Sequence, residues 1–154
     1  MLKHAHTILV VDDDRNTLRL LEKVLGRKFR IVTAASGEEA MEILGRQQVS
    51  LLLTDQCMPG MTGTELIRES RSLCPNMICM LLTGKDDVGV FIDALTKSRA
   101  IRVINKPWNP DKILADIQAA LERHETHLSE RQSMNRLKEA KESLKKLAPD
   151  RSSH

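Results

Sequence analysis

The sequence predicts an α/β fold built on a buried parallel sheet, and two observations predict it. Four apolar runs, Ile8 to Val11, Leu51 to Leu53, Met80 to Leu82 and Ile101 to Ile104, are close to continuous in Val, Ile, Leu and Met. Strands covered on both faces read this way, whereas half-exposed strands alternate. Between the runs lie segments whose apolar residues recur at helical spacing. The runs lead into polar residues: Asp12 and Asp13, Asp55, Thr83 and Lys106. In open α/β sheets ligands bind outside the carboxyl ends of the strands, so three carboxylates, a hydroxyl and an ammonium converge on one edge.

Thr7 to Val11 is the first strand, and Leu18, Leu21 and Leu25 follow as the stripe of a first helix with Gly26 placed to end it. Asp14 is expected as a first-turn helix charge. Phe29 to Ala34 is the second strand. Ser36 with Glu39 forms a capping box before a helix that buries Ala40, Ile43 and Leu44. Val49 to Thr54 is the third strand. After the Met58-Pro59-Gly60 turn, Thr62 with Glu65 caps a third helix whose buried stripe is Leu66, Ile67 and Leu73.

Met77 to Leu82 is the fourth strand. Val88, Phe91, Ile92 and Leu95 share one face of a fourth helix, with Asp86 and Asp87 as partners of its N-terminal dipole. Ile101 to Ile104 is the fifth strand. Asn109 as N-cap and Pro110 at the first helical position open a fifth helix that turns Ile113, Leu114, Ile117 and Leu121 inward. Helical composition without Gly or Pro continues to Ala148. Leu137, Ala140, Leu144 and Leu147 fit an a/d seam for only about two heptads, which suits a weak dimer helix or a solvated helical linker equally. Pro149 to His154 is a frayed polar end.

A length of 154 residues suits one domain with a short appendage, divided here as 1–121 and 122–154. No apolar run is long enough for a bilayer span, and no cleavable leader is visible, so the expected setting is cytoplasmic, away from the membrane. Cys57, Cys74 and Cys79 are odd in number and lack metal-ligand spacing, which favours reduced thiols. The net charge of +3 comes from scattered basic residues, so direct nucleic-acid binding is not expected.

The strings VVDDD, LTDQCMPGMTG, LLTG and INKPW stand in the order and context of the receiver domain of two-component response regulators, which the chain resembles from about Thr7 to Leu121. That resemblance implies a flavodoxin-like, doubly wound five-stranded parallel sheet in the order 2-1-3-4-5, followed here by an extended C-terminal helix. Two adjacent carboxylates in a partly buried site repel unless a cation lies between them, and a hard divalent ion such as Mg²⁺ suits oxygen ligands. In the receiver pattern its ligands are Asp12, Asp13, Asp55 and the main-chain carbonyl of Cys57.

The resemblance further makes Asp55 the phosphoryl acceptor, with the Thr83 hydroxyl and the Lys106 ammonium around the phosphoryl oxygens. Lys106-Pro107 is expected to be cis. A histidine kinase or phosphotransfer protein is the implied donor, and the implied role is a phosphorylation-dependent signalling switch, which is no turnover enzyme on a separate substrate. The face of the fourth helix, fifth strand and fifth helix, or the C-terminal helix, is a candidate homodimer surface; output leaves through a protein surface or a fused effector domain.

Three departures from the receiver pattern stand out. Val103 occupies the place of the usual aromatic switch residue, Cys57 and Lys85 replace residues that flank the hydrolytic water, and Trp108 follows Lys106-Pro107 where Phe is commoner. The second departure predicts slow self-dephosphorylation. Val103 favours the alternative of a non-phosphorylated interaction module, against which the intact Asp12, Asp13, Asp55, Thr83 and Lys106 stand; a metal-dependent phosphohydrolase lacks a positioned base. No nucleotide-binding glycine string is present.

Overall fold

The computed structural model describes residues 6–84 and 101–147. In chain order the elements are β1 (Thr7–Val11), α1 (Arg15–Leu25), β2 (Arg30–Ala34), α2 (Gly37–Arg46), β3 (Leu51–Asp55), α3 (Gly63–Leu73), β4 (Ile78–Thr83), β5 (Ile101–Asn105) and α4 (Pro110–Leu147). All strand pairs are parallel, in the order β2-β1-β3-β4-β5. This is the flavodoxin-like order expected from the sequence. The helix anticipated over Val88 to Leu95, together with Lys85, Asp86 and Asp87, lies outside the described residues.

Sheet residues alternate between two apolar layers. Leu9, Val11, Leu52, Cys79 and Leu81 pack with Ala40, Ile43 and Leu44 of α2 and Leu66 and Ile67 of α3. Their neighbours Ile8, Val10, Leu51, Leu53, Met80 and Leu82 are also buried and face the other side, where α1 buries Leu18, Leu21 and Leu25. Burial on both faces accounts for the unbroken apolar runs.

Three expected caps form. Ser36 Oγ accepts from the Glu39 amide while the Glu39 carboxylate reaches back to the Ala35 amide; Thr62 Oγ1 accepts from Glu65 N; Asn109 Oδ1 accepts from Asp111 N and Lys112 N. Asp14 is a correction. It is the N-cap of α1 rather than a first-turn charge, accepting from Asn16 N at 3.0 Å and from the Thr17 hydroxyl at 3.1 Å. Its short side chain can fold back only because its own backbone is extended.

Strands β3, β4 and β5 run one residue further than the expected strands, taking in Asp55, Thr83 and Asn105, and β2, β3 and β4 start later than expected. The ladder is a backbone property and continues under polar side chains, pairing Asp55 with Leu82 and Thr83 with Asn105. Leu73 was expected to be buried but is exposed, because it stands at the last residue of α3. Gly26 ends α1 with ordinary right-handed backbone, so its role there is not a left-handed cap.

By its internal contacts the chain divides into a unit up to Gln118 and a second from Ala119, with α4 continuous through the division. In the first unit α4 buries Ile113 and Ile117. In the second, Met134, Leu137, Leu144 and Leu147 are exposed. Among the described residues no helix is long and apolar enough to cross a membrane.

Candidate functional site

Strand ends β1 and β3 bring three carboxylates together: an oxygen from each of Asp12, Asp13 and Asp55 lies within 4.8 Å of the others. Asp12 and Asp55 are buried and Asp13 is exposed, so the group opens to solvent on one side. Asp12 is pinned at both ends. Its amide donates to the Ala34 carbonyl at the end of β2, and its Oδ1 accepts from Asp14 N at 2.9 Å.

Lys106 follows β5 across the cis Lys106-Pro107 bond, as expected, and its ammonium lies 2.5 Å from Asp55 Oδ1. That buried oxygen has the Lys106 ammonium as its partner, so charge and a side-chain hydrogen bond act together there. The Lys106 side chain is 39% exposed against 6% for Asp55, so solvent screens the pair from one side. Partial burial works to lower the Lys106 pKa, but Asp55 and Asp12 outweigh it and hold the ammonium above its ordinary value.

Thr83 is buried at the end of β4, and its hydroxyl donates to the Gly84 carbonyl at 2.8 Å. The site therefore gathers Asp12, Asp13, Asp55 and Lys106 directly, with Thr83 on the neighbouring strand end and its hydroxyl engaged locally. Cys57 lies in the loop after β3 with its side chain exposed, and the grouped ligand atoms are all carboxylate oxygens. Val103 is part-buried against the core layer shared with α2 and α3.

The residues fit a hard divalent cation. Three carboxylate oxygens gathered within one cluster match the donor set that Mg²⁺ takes. Burial raises the Asp12 pKa from 3.8 to about 6; the Asp14 amide opposes this, and the nearby Asp55 charge adds to it.

Between those two values the folded protein keeps a proton that the unfolded chain releases. The stability that Asp12 contributes is therefore fullest at the acid end and declines as pH rises through about 6. In metal-free protein, the unfolding midpoint of wild type relative to Asp12→Asn should fall between about pH 4 and about pH 7. Urea titrations at both ends measure it, and a flat difference would contradict the raised value.

Sequence reasoning missed Gln56 and the close packing of Gly63. Gln56 is 3% exposed although polar, and its Oε1 accepts from both the amide and the hydroxyl of Thr64. Gly63 packs so closely on β3 that a Cβ there would stand 2.3 Å from the Asp55 carbonyl oxygen. A Gln beside an acceptor Asp carries no spacing signal. The Gly at the start of α3 was visible in the sequence, but its contact was not.

A parallel sheet in this order, with an acidic cluster and a lysine at its carboxyl edge, defines a receiver-type α/β domain. The response regulator receiver domain family matches residues 8–118, and the chain belongs to that family. It is 36% identical over 116 residues to the hydrogenase transcriptional regulatory protein HoxA of Cupriavidus necator, covering 75% of this chain and 24% of that protein. The chain thus spans about a quarter of that relative's length. A crystal structure described as adenylate cyclase from Rhodopirellula baltica superposes with a TM-score of 0.79 at 32% identity, covering 84% of this chain and 97% of that one. A response regulator receiver domain protein from Clostridium thermocellum gives 0.73 at 27% identity, covering 79% and 98%.

Proposed function

We propose that this chain is a phosphorylation-dependent signalling switch that accepts a phosphoryl group on Asp55 from the histidine of a kinase or phosphotransfer protein, or from a small phosphodonor. The observation that carries this reading is the junction of three carboxylates with the Lys106 ammonium placed on Asp55. An Asp55 carboxylate oxygen would bond to phosphorus as the bond from phosphorus to the donor breaks, the electron pair leaving with the donor. Lys106 holds positive charge where the phosphoryl oxygens would arrive, and rotation of Thr83 Oγ1 away from Gly84 would add a donor.

Asp12, Asp13, Asp55 and the Cys57 carbonyl would hold Mg²⁺, which when bound supplies charge neutralisation for the transfer. The chain modifies itself and turns over no separate substrate. Its proposed setting is the cytoplasm. Residues 1–121 would form the switch, and 122–154 a helical extension toward an effector or a second copy.

Two measurements test the reading. Acetyl phosphate with Mg²⁺ should add one phosphoryl group by intact mass, and failure to add any would overturn the switch. Trp108 lies two residues from Lys106, so Mg²⁺ titration should change its fluorescence, and Asp13→Ala should remove most of that response. If calorimetry detects Mg²⁺ binding that Asp13→Ala leaves unaltered, Asp13 is not a ligand.

A further inference from the structure

Helix α3 begins eight residues after Asp55, and its N-terminus is tied to the residue next to that acceptor. The opening amides of a helix have no partner within it. Here three of them can be accounted for. Gly63 N donates to the Gln56 carbonyl at 3.1 Å, and Thr64 N donates to Gln56 Oε1 at 2.9 Å. Glu65 N donates to Thr62 Oγ1, and from Leu66 N, which donates to the Thr62 carbonyl, the helix's own ladder begins.

Gln56 therefore satisfies two of the three, one with its main chain and one with its side chain. Its Oε1 also accepts from the Thr64 hydroxyl at 2.6 Å, and its own amide donates to the Leu82 carbonyl on β4 at 3.0 Å. Gln56, Gly63, Thr64 and Leu82 are all buried, where an amide left without a partner is costly.

We infer that Gln56 is a positioning residue for the phosphoacceptor site, joining β3, β4 and α3 so that Asp55 and the Cys57 carbonyl are held where metal and phosphoryl group would meet them. The inference rests on the phosphoacceptor reading above. Gln56 touches neither the metal nor the phosphoryl group; it fixes the backbone on either side of the residues that would. Outer residues that orient metal ligands commonly alter affinity when replaced, by about 10- to 100-fold. A conventional cap would instead affect stability alone.

Thr64 provides the finer control, because among the described residues its hydroxyl engages only the Gln56 side chain. Thr64→Ser keeps a hydroxyl and Thr64→Val removes it at nearly constant volume. Gln56→Met keeps the length of the side chain and removes its acceptor.

The experiment compares the full chain with Gln56→Met, Thr64→Val and Thr64→Ser, measuring Mg²⁺ affinity by calorimetry, acetyl phosphate labelling rate by intact mass, and urea unfolding. Gln56→Met is expected to weaken Mg²⁺ binding about tenfold or more and to slow labelling. Thr64→Val should show a smaller loss in the same direction and Thr64→Ser should restore wild-type values. If the folded variants bind Mg²⁺ and label as wild type does, with only the urea midpoint lowered, Gln56 is a cap and the inference fails. If Gln56→Met does not fold, the Thr64 pair decides by the same criterion. Wild type that neither binds Mg²⁺ nor labels would overturn the phosphoacceptor reading, which separates that failure from this one.

Discussion

Asp55→Asn is expected to abolish phosphoryl labelling by acetyl phosphate, leaving the intact mass unchanged under conditions that modify wild type. The amide has nearly the shape of the carboxylate but is a poor nucleophile at neutral pH and carries no charge for a cation. Loss of folding does not account for such a result. Asp55 is buried beside Asp12 and Asp13, and removing its charge relieves repulsion within the cluster while freeing the partly exposed Lys106 to solvent. The variant should therefore unfold at a urea concentration no lower than that of metal-free wild type. Labelling that persists in Asp55→Asn would assign the chemistry elsewhere, with the exposed Asp13 the first residue to test.

Gly63→Ala is expected to be among the most damaging one-carbon changes in the described part of the molecule. Its Cβ would stand 2.3 Å from the Asp55 carbonyl oxygen and 2.7 Å from Leu81 Cδ1. The leucine can rotate; the carbonyl belongs to the β3 backbone and cannot move without disturbing Asp55. Overpacking of this kind costs about 1–3 kcal/mol, and the backbone obstacle places this site at the upper end. That corresponds to a fall of about 10 °C in Tm, with labelling reduced as well. Gly45→Ala is the control. It lies within α2 with nothing near its Cβ, so alanine should be neutral or stabilise by up to about 1 kcal/mol. Equal Tm values for the two variants would show that α3 yields to the added methyl.

Much of this was legible because the informative residues act locally. The apolar runs required burial on both faces, and Ser36, Thr62 and Asn109 each cap a helix through bonds that span two or three residues. The convergence of Asp12, Asp55 and Lys106 followed from strand ends alone, given a parallel sheet.

What escaped was set by distance in the chain or by competition between two local roles. Gln56 looks like an ordinary loop residue until Thr64 is folded against it. Asp14 could serve as a first-turn charge or a cap, and only the extended backbone at that position decides. Leu73 kept the helical period while its turn ran out into solvent. The strand ends were placed short because polarity was taken as their limit, whereas the ladder carries Asp55 and Thr83 within it.

The β4–β5 pairing has a bearing on how this sequence can vary in length. Thr83 stands opposite Asn105, and the Lys106 amide donates to the Thr83 carbonyl at 2.8 Å, so hydroxyl and ammonium are spaced by counting residues along two adjacent strands. Residues can be gained or lost before a strand, and the connecting loop absorbs them. Inside a strand there is no slack: one deletion between Ile78 and Thr83 exchanges the two sets of side chains and carries Leu82 or Thr83 to the opposite face. Evolution and engineering can thus lengthen the approaches to this edge freely, while its reactive groups remain locked to a fixed count of residues.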